Sequence, residues 1–339
     1  MRGLINNRLL FLSIIMFFIS SCRKEEEGSI PTDRQVPIGV TEASLSTRVS
    51  TRGVINNATY KLGLFRTNAN GYPPQYDAPY TYSATGWTAF TEILVDHRPV
   101  GLYAYYPYQS VSFVDNTTTA TLVAQTYDVA KDVCYGTAAA VDGSAVINND
   151  HKAVQFLNMK HAYARLKLTF VRGTNVMSGR KCKIENIVLK NNSTNFYLQR
   201  QVDITTGTIT GGTPAAGGYV YNPNVEIPSG NRVYEYLLPP QPLTDSKLTI
   251  SVTVDGEVRT VTVTTFGGAL NAGGYYHVTL TINDVQIVPS AGVTDIGYTS
   301  GMIRRIPFKI ILQVWFKMTI ISDGRGSLSV RFIRAIHTF

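Results

Sequence analysis

The chain of 339 residues carries 31 Lys and Arg against 23 Asp and Glu, a formal net charge of +8, and only 16% of its residues are charged, where a typical soluble domain has about 25%. Between Gly301 and Phe339 seven basic residues (Arg304, Arg305, Lys309, Lys317, Arg325, Arg331, Arg334) stand against one acid, Asp323. Removing these, with Arg2 and Arg8, leaves 22 basic and 22 acidic residues, so no basic face remains to neutralise phosphates and no nucleic-acid partner is expected.

The N-terminus places Arg2 and Arg8 before an apolar run from Leu9 to Ile19, then Ser20, Ser21 and Cys22. This is the layout of a secretory signal: a basic n-region, a short apolar h-region and a small-residue cleavage site. A membrane-spanning helix needs about 20 apolar residues, and this run is too short. Ile19-Ser20-Ser21-Cys22 resembles a lipobox, so residues 1–21 are expected to be a lipoprotein signal peptide and Cys22 the lipidation site. An ordinary cleaved signal with an incidental cysteine is the alternative. Residues 22–34 form an acidic tether through Glu25, Glu26 and Glu27, a solvated spacer in itself. The triple glutamate is similar to the acidic export tag of surface lipoproteins of the Bacteroidetes, which implies a lipid-anchored place on the outer membrane at the cell surface.

From residue 35 onward helical periodicity is scarce and period-2 alternation recurs. The clearest expected strands are Tyr60 to Phe65, Ala162 to Val171, Lys183 to Leu189, Arg232 to Leu238, Lys247 to Val254, Glu257 to Thr264 and Tyr275 to Ile282, each bounded by turn-forming residues. Asp255-Gly256 sits between two alternating runs and suits a tight type I′ hairpin turn. Short strands at such spacing predict an all-β protein built of sandwiches. The 318 residues from Cys22 onward suggest two domains at roughly 150 residues each, placed at 35–155 and 156–288 with the boundary after the polar stretch Asp142 to Lys152. The Gly- and Thr-rich segment Thr206 to Tyr219 predicts a flexible loop.

Chemistry-bearing motifs are few. His97, His151, His161, His277 and His337 are scattered, none at i, i+2 or i, i+4 spacing from another metal ligand, so no metal site is expected. No nucleophile elbow, phosphate loop or dinucleotide fingerprint occurs, no catalytic or cofactor-binding residue stands out, and the chain is expected not to be an enzyme. Cys134 and Cys182 are open to two readings, a bridge permitted by an oxidising compartment or a pair of buried thiols. In GLYAYYPYQ, Gly101 to Gln109, alternation puts Leu102, Ala104, Tyr106 and Tyr108 on one face and Tyr103, Tyr105 and Pro107 on the other. Dividing the tyrosines two and two favours packing over a sugar platform.

Taken in order, several motifs resemble the fimbrillins of the Bacteroidetes. They are the Cys22 lipobox, STRVSTRG at Ser46 to Gly53, YKLGLF at Tyr60 to Phe65, the LYAYYPY block, DVCYGTA at Asp132 to Ala138, FLNMKHAYARLKLTF at Phe156 to Phe170 and GGYYHVTLTIN at Gly273 to Asn283. The resemblance implies two tandem transthyretin-like β-sandwich domains and a structural or accessory role in cell-surface fimbriae and adhesion. It also implies export as a lipidated precursor, cleavage after an arginine to free the first strand, and strand exchange with other fimbrial subunits. Matching pieces are Val36, Ile38 and Val40 as the face of a removable strand, with Leu45 extending the pattern, and Arg48 and Arg52 as cleavage sites. Host or bacterial surface ligands are the further expected partners, and a surface glycan-binding lipoprotein is the alternative function.

Residues 289–339 form an atypical basic, apolar tail. Ile310, Leu312, Val314, Phe316, Met318 and Ile320 alternate without exception, and Asp323-Gly324 suits a turn into SLSVRFI. The tail reads equally as a donor strand for the next subunit or as a shifted reading frame.

Overall fold

Alternating β-branched and aromatic residues build almost everything seen in the computed structural model, which describes residues 34–46, 53–67, 69–176, 179–192, 195–227, 230–264, 266–284 and 286–289, and the backbone of 294–295, 316–322 and 328–334. Among the described residues the helical elements are two three-residue turns, Val129–Lys131 and Thr244–Ser246. The protein is all-β, as its alternation predicts. The chain divides into two units, Met1–Ser300 and Gly301–Phe339.

In the first unit, a nine-stranded sheet runs in the order Gly53–Val54, Gly39–Leu45, Ala153–His161, Cys134–Thr137, Leu102–Tyr106, Lys61–Arg66, Gln75–Ser83 and Gly86–Ala89, with Ala139–Ala140 also paired to Ala153–His161. It has core on both faces because its strands carry apolar residues at both parities. Leu62, Leu64, Leu102 and Ala104 join Ile38, Val40, Tyr80 and Phe156 in one cluster. Phe65 and Tyr105, from the same strands, join Leu122, Tyr163, Val202 and Leu237 in another. That second cluster faces a four-stranded sheet made from Ser112–Phe113, Thr119–Val123, Gln199–Asp203 and Ile209–Thr210.

Two further sheets enclose the remaining core. One runs Gln125–Thr126, Asn231–Leu238, Ala164–Arg172, Tyr275–Ile282 and Ile287–Pro289; the other runs Tyr219–Tyr221, Lys183–Lys190, Leu248–Val254 and Glu257–Val263. Leu166, Leu168 and Phe170 from the first meet Ile187, Leu189, Ile250 and Val252 from the second, the inward face of each sheet alternating with an outward one as in a sandwich. Asp255 and Gly256 have φ of 49° and 82°, and Val254 faces Glu257, the two-residue hairpin that Asp-Gly predicts.

Two findings depart from the sequence expectations. Thr206 to Tyr219 is tied down as short strands: Ile209–Thr210 pairs with Gln201 and Val202, and Pro214–Ala215 pairs with Phe196–Tyr197. Its glycines permit close backbone approach, since a Cβ on Gly212 would lie 2.3 Å from Gln199 O. Ala153–His161, which spans the expected boundary at 155/156, pairs with Gly39–Leu45, Cys134–Thr137 and Ala139–Ala140, whereas Ala164–Arg172 pairs with Asn231–Leu238 and Tyr275–Ile282. Two of these pairings, Gly39–Leu45 with Ala153–His161 and Ala164–Arg172 with Tyr275–Ile282, are parallel.

In the second unit, Phe316–Ser322 and Leu328–Arg334 form an antiparallel hairpin in which Phe316 faces Arg334 and Ser322 faces Leu328.

Candidate functional site

The first strand sits at a seam. Val36 faces Val95, Pro37 faces Leu94, and Ile38 N donates to Ile93 O at 3.0 Å. Gly39 N then donates to Lys152 O at 2.9 Å, and the chain turns alongside Ala153–His161 in parallel. Val40 faces Val154 but Glu42 faces Gln155, so Thr41 is an extra residue, and its hydroxyl donates to Val154 O at 3.0 Å. One inserted residue exchanges the inward and outward parities of a strand. Ile38 and Val40 are buried before the bulge, Ala43 and Leu45 after it, and Val36 is half-buried. On the other side of the strand, among the described residues, Ser44 and Leu45 are laddered to Val54 and Gly53, and Ile55 N donates to Ala43 O at 2.9 Å. Gly86–Ala89 approaches without joining the ladder.

A buried charge network holds the seat for Val36–Pro37. Arg98 binds Asp96 through Nε to Oδ1 at 3.0 Å and Nη2 to Oδ2 at 2.6 Å. The Tyr72 hydroxyl donates to Asp96 Oδ1 at 2.7 Å, and the Arg98 guanidinium lies 4.5 Å over the Tyr72 ring. Arg66 donates to Leu94 O and, at 2.9 Å, to Pro73 O. Hydrogen bonds from Arg98 hold the Asp96 carboxyl well below the usual carboxylate range, against the opposing effect of its burial.

The tyrosine block packs inward. Tyr106 lies against the cluster of Leu102 and Ala104, while Tyr103, Tyr105 and Tyr108 lie in the opposite one. Tyr108 departs from the alternation because the strand ends at Tyr106. The Tyr105 hydroxyl donates to Asp77 Oδ1 at 2.7 Å, and burial pushes the pKa of both groups up. Beside them lies an open cavity of about 470 Å³ whose lining includes Tyr76, Asp77, Gln109, Phe113 and Asn116.

A polar cluster lies at the end of Ala153–His161. Cys134 faces His161 across the ladder, and Asp132, two residues before Cys134, shares its side of the chain. His161 Nδ1 is 3.1 Å from Cys134 Sγ and 3.1 Å from Asp132 Oδ2. All three side chains are buried, and burial pushes the Cys134 thiol up. Cys134 and Cys182 are both free and buried.

The fimbrillin-like family model matches residues 47–295. This chain belongs to the fimbrillin-like family. Among solved structures, the fimbrillin-like chain is similar to a candidate cell adhesion protein from Bacteroides uniformis ATCC 8492, at 18% identity and a TM-score of 0.54 over 75% of this chain and 97% of that one. A candidate cell adhesion protein from Bacteroides ovatus ATCC 8483 is similar at 16% identity and a TM-score of 0.52, over 77% and 98%. At these identities the likeness is one of fold. No curated protein matches. The matching family is one of structural fimbrial proteins and not of enzymes.

Of the expected site residues in this fimbrillin-like chain, Val36, Ile38 and Val40 come together on the seam strand. Phe316, Met318 and Ile320 fall at alternate positions of the hairpin strand Phe316–Ser322. Cys22, Arg48, Arg52, Ile310, Leu312 and Val314 lie outside the described residues. The Asp132, Cys134 and His161 grouping was absent from the sequence expectations, which searched for spacing around histidines. Its signal was the Asp-x-Cys pair at a strand start, but the histidine arrives by register across 27 residues.

Proposed function

We propose that this chain is a lipid-anchored precursor, acylated at Cys22, that serves as a structural subunit or accessory protein of cell-surface fimbriae with a role in adhesion. Family membership supports the fimbrial role, and the likeness to the two Bacteroides cell adhesion proteins supports adhesion. In this reading the precursor is anchored in the outer membrane and cleavage after Arg48 or Arg52 releases the 36–45 strand. A strand from another subunit then fills the vacancy by β-augmentation, pairing with exposed backbone and filling the side-chain pockets. Donor and acceptor are different segments of the chain, so the contact runs head to tail and builds a filament. The alternating segment containing Ile310, Leu312, Val314, Phe316, Met318 and Ile320 is the proposed donor. Two domains, with the changeover near residues 162–163, fit the exchange of strand partners there.

The observation that carries this reading is the seam strand, which buries Ile38, Val40, Ala43 and Leu45 yet has one long, twice-shifted ladder on one side and a short pairing on the other. Limited trypsin treatment of the mature chain is expected to yield laddered polymers on electrophoresis without boiling. Arg48→Ala with Arg52→Ala together should abolish the ladder. A strictly monomeric product after cleavage at either arginine would refute strand exchange.

A second reading, binding of a surface glycan, is favoured by the cavity beside the tyrosine block, where Tyr76 and Phe113 offer ring surface and Asp77, Gln109 and Asn116 offer polar groups. Tyr76→Ala with Phe113→Ala should then lose retention on immobilised glycans while the melting curve stays cooperative; unchanged retention excludes the cavity.

A further inference from the structure

The geometry points to Asp132, Cys134 and His161 as a structural site for one divalent cation of the zinc class, holding the ends of two adjacent strands together inside the protein. Cys134 and His161 are opposed residues of an antiparallel pair, which sets their Cβ atoms within about 5.5 Å of each other. Asp132 reaches the same side two residues earlier. Their ligating atoms, Cys134 Sγ, His161 Nδ1 and an Asp132 carboxylate oxygen, all lie within 4.8 Å of one another.

Spacing and chemistry agree. Tetrahedral zinc with bonds of about 2.3 Å to sulfur and about 2.1 Å to nitrogen and oxygen sets its ligand atoms about 3.4–3.6 Å apart. The two distances of 3.1 Å from Nδ1 need only a small outward movement to reach this. One proton on Nδ1 can point at only one of its two neighbours, whereas a cation at the centre engages all three. Asp132 Oδ1 is buried without a hydrogen-bond partner among the described residues, and a cation held against this carboxylate satisfies it; the three side chains take three of the four positions and leave the fourth to a water. Sulfur, nitrogen and oxygen ligands together select a borderline ion such as Zn²⁺ over Mg²⁺ or Ca²⁺. A carboxylate and a thiolate cancel the charge of the ion, which removes the penalty of burying it.

Loading breaks the Cys134 S–H bond and forms a metal–sulfur bond; the thiol proton leaves to solvent, and His161 contributes the Nδ1 lone pair. The ligand is the thiolate, so loading releases a proton and is coupled to folding. The consequence is mechanical. Ala153–His161 is the strand on which Gly39–Leu45 is laddered, and the ion pins its far end to Cys134–Thr137.

The test uses the full-length mature chain grown with added zinc and purified without chelator. Mass spectrometry of the metal content should find about one zinc per chain, as for a structural site. Exchange with Co²⁺ should give a sulfur-to-cobalt charge-transfer band in the near ultraviolet. Cys134→Ser and His161→Gln should each lose the metal and the band, and Cys182→Ser should keep both. Wild-type protein without bound zinc and without a cobalt band overturns the site, and so does metal retained equally by Cys134→Ser. The cobalt spectrum of the wild type decides the matter even where a variant fails to fold.

Discussion

Two strands hold the same place in the topology and are held very differently. Gly39–Leu45 opens the first half and lies parallel to that half's late strand Ala153–His161; Ala164–Arg172 opens the second half and lies parallel to Tyr275–Ile282. The later strand is bonded on both sides, from Ala164 facing Leu238 to Val171 facing Asn231, and from Arg165 facing Tyr275 to Arg172 facing Ile282, with no break in register. The earlier one shifts register twice along its single long ladder and, among the described residues, meets a short stretch from Gly53 to Ile55 on the other side. Both bury apolar side chains, so hydrophobic burial alone does not distinguish them. What differs is the backbone. A strand laddered along its length on both sides must break two long ladders to leave, whereas the seam strand breaks one interrupted ladder and two short pairings, with Leu94–Val95 and Gly53–Val54, and exposes a groove.

The largest effect expected from this contrast is at Phe170, fully buried on the doubly laddered strand. Phe170→Ala should cost about 3–5 kcal/mol and lower the cooperative melting transition as a whole. Ile38→Ala, on the seam strand, removes a smaller buried side chain, at about 2–4 kcal/mol, and its effect should be local. Hydrogen exchange would show faster opening at residues 36–45 and 153–159 with 164–172 still protected, because local opening follows the least-bonded segment. Equal acceleration of both strands in Ile38→Ala would remove the distinction on which exchange of the first strand depends.

Much of this contrast was written in the sequence, and its decisive part was not. Alternation places Tyr275–Ile282 to the residue, and Asp255-Gly256 marks the hairpin between Leu248–Val254 and Glu257–Val263, since that pair suits a tight turn. Val36, Ile38 and Val40 were visible as one face. The bulge at Thr41 was not, because an inserted residue is defined by the partner's register, and no local pattern records which residues of a distant strand lie opposite. The same reason hid Asp132, Cys134 and His161: the i, i+2 pair is local, and the third member is brought in by pairing. Thr206 to Tyr219 reads as a loop because its glycines carry no side-chain pattern, yet those glycines let it lie against neighbouring backbone. Tyr108 lies on the face opposite to the one alternation predicts, because the strand ends at Tyr106.

The smallest effect expected is of pH on the seat of the seam strand. Asp96 follows directly on Leu94–Val95, which pairs with Val36–Pro37, and Arg98 and Tyr72 hold its carboxyl below its ordinary value. A carboxyl whose folded-state value is depressed adds stability above its unfolded value of about 4 and loses it as pH falls through the folded one. The contribution should therefore be complete above about pH 5 and decline steadily below about pH 4. The loss is partial, since Tyr72 and Arg98 can still hydrogen-bond a neutral acid. Asp96→Asn should remove this part of the acid dependence while keeping the shape of the side chain. Hydrogen exchange at pH 3 against pH 6 then reads the comparison directly: residues 36–40 should open faster at the lower pH in the wild type, change less in Asp96→Asn, and 164–172 should respond in neither. An acid response in 36–40 of equal size in both proteins would detach the seam strand from the Asp96 network and leave its single ladder as the sole basis for its release.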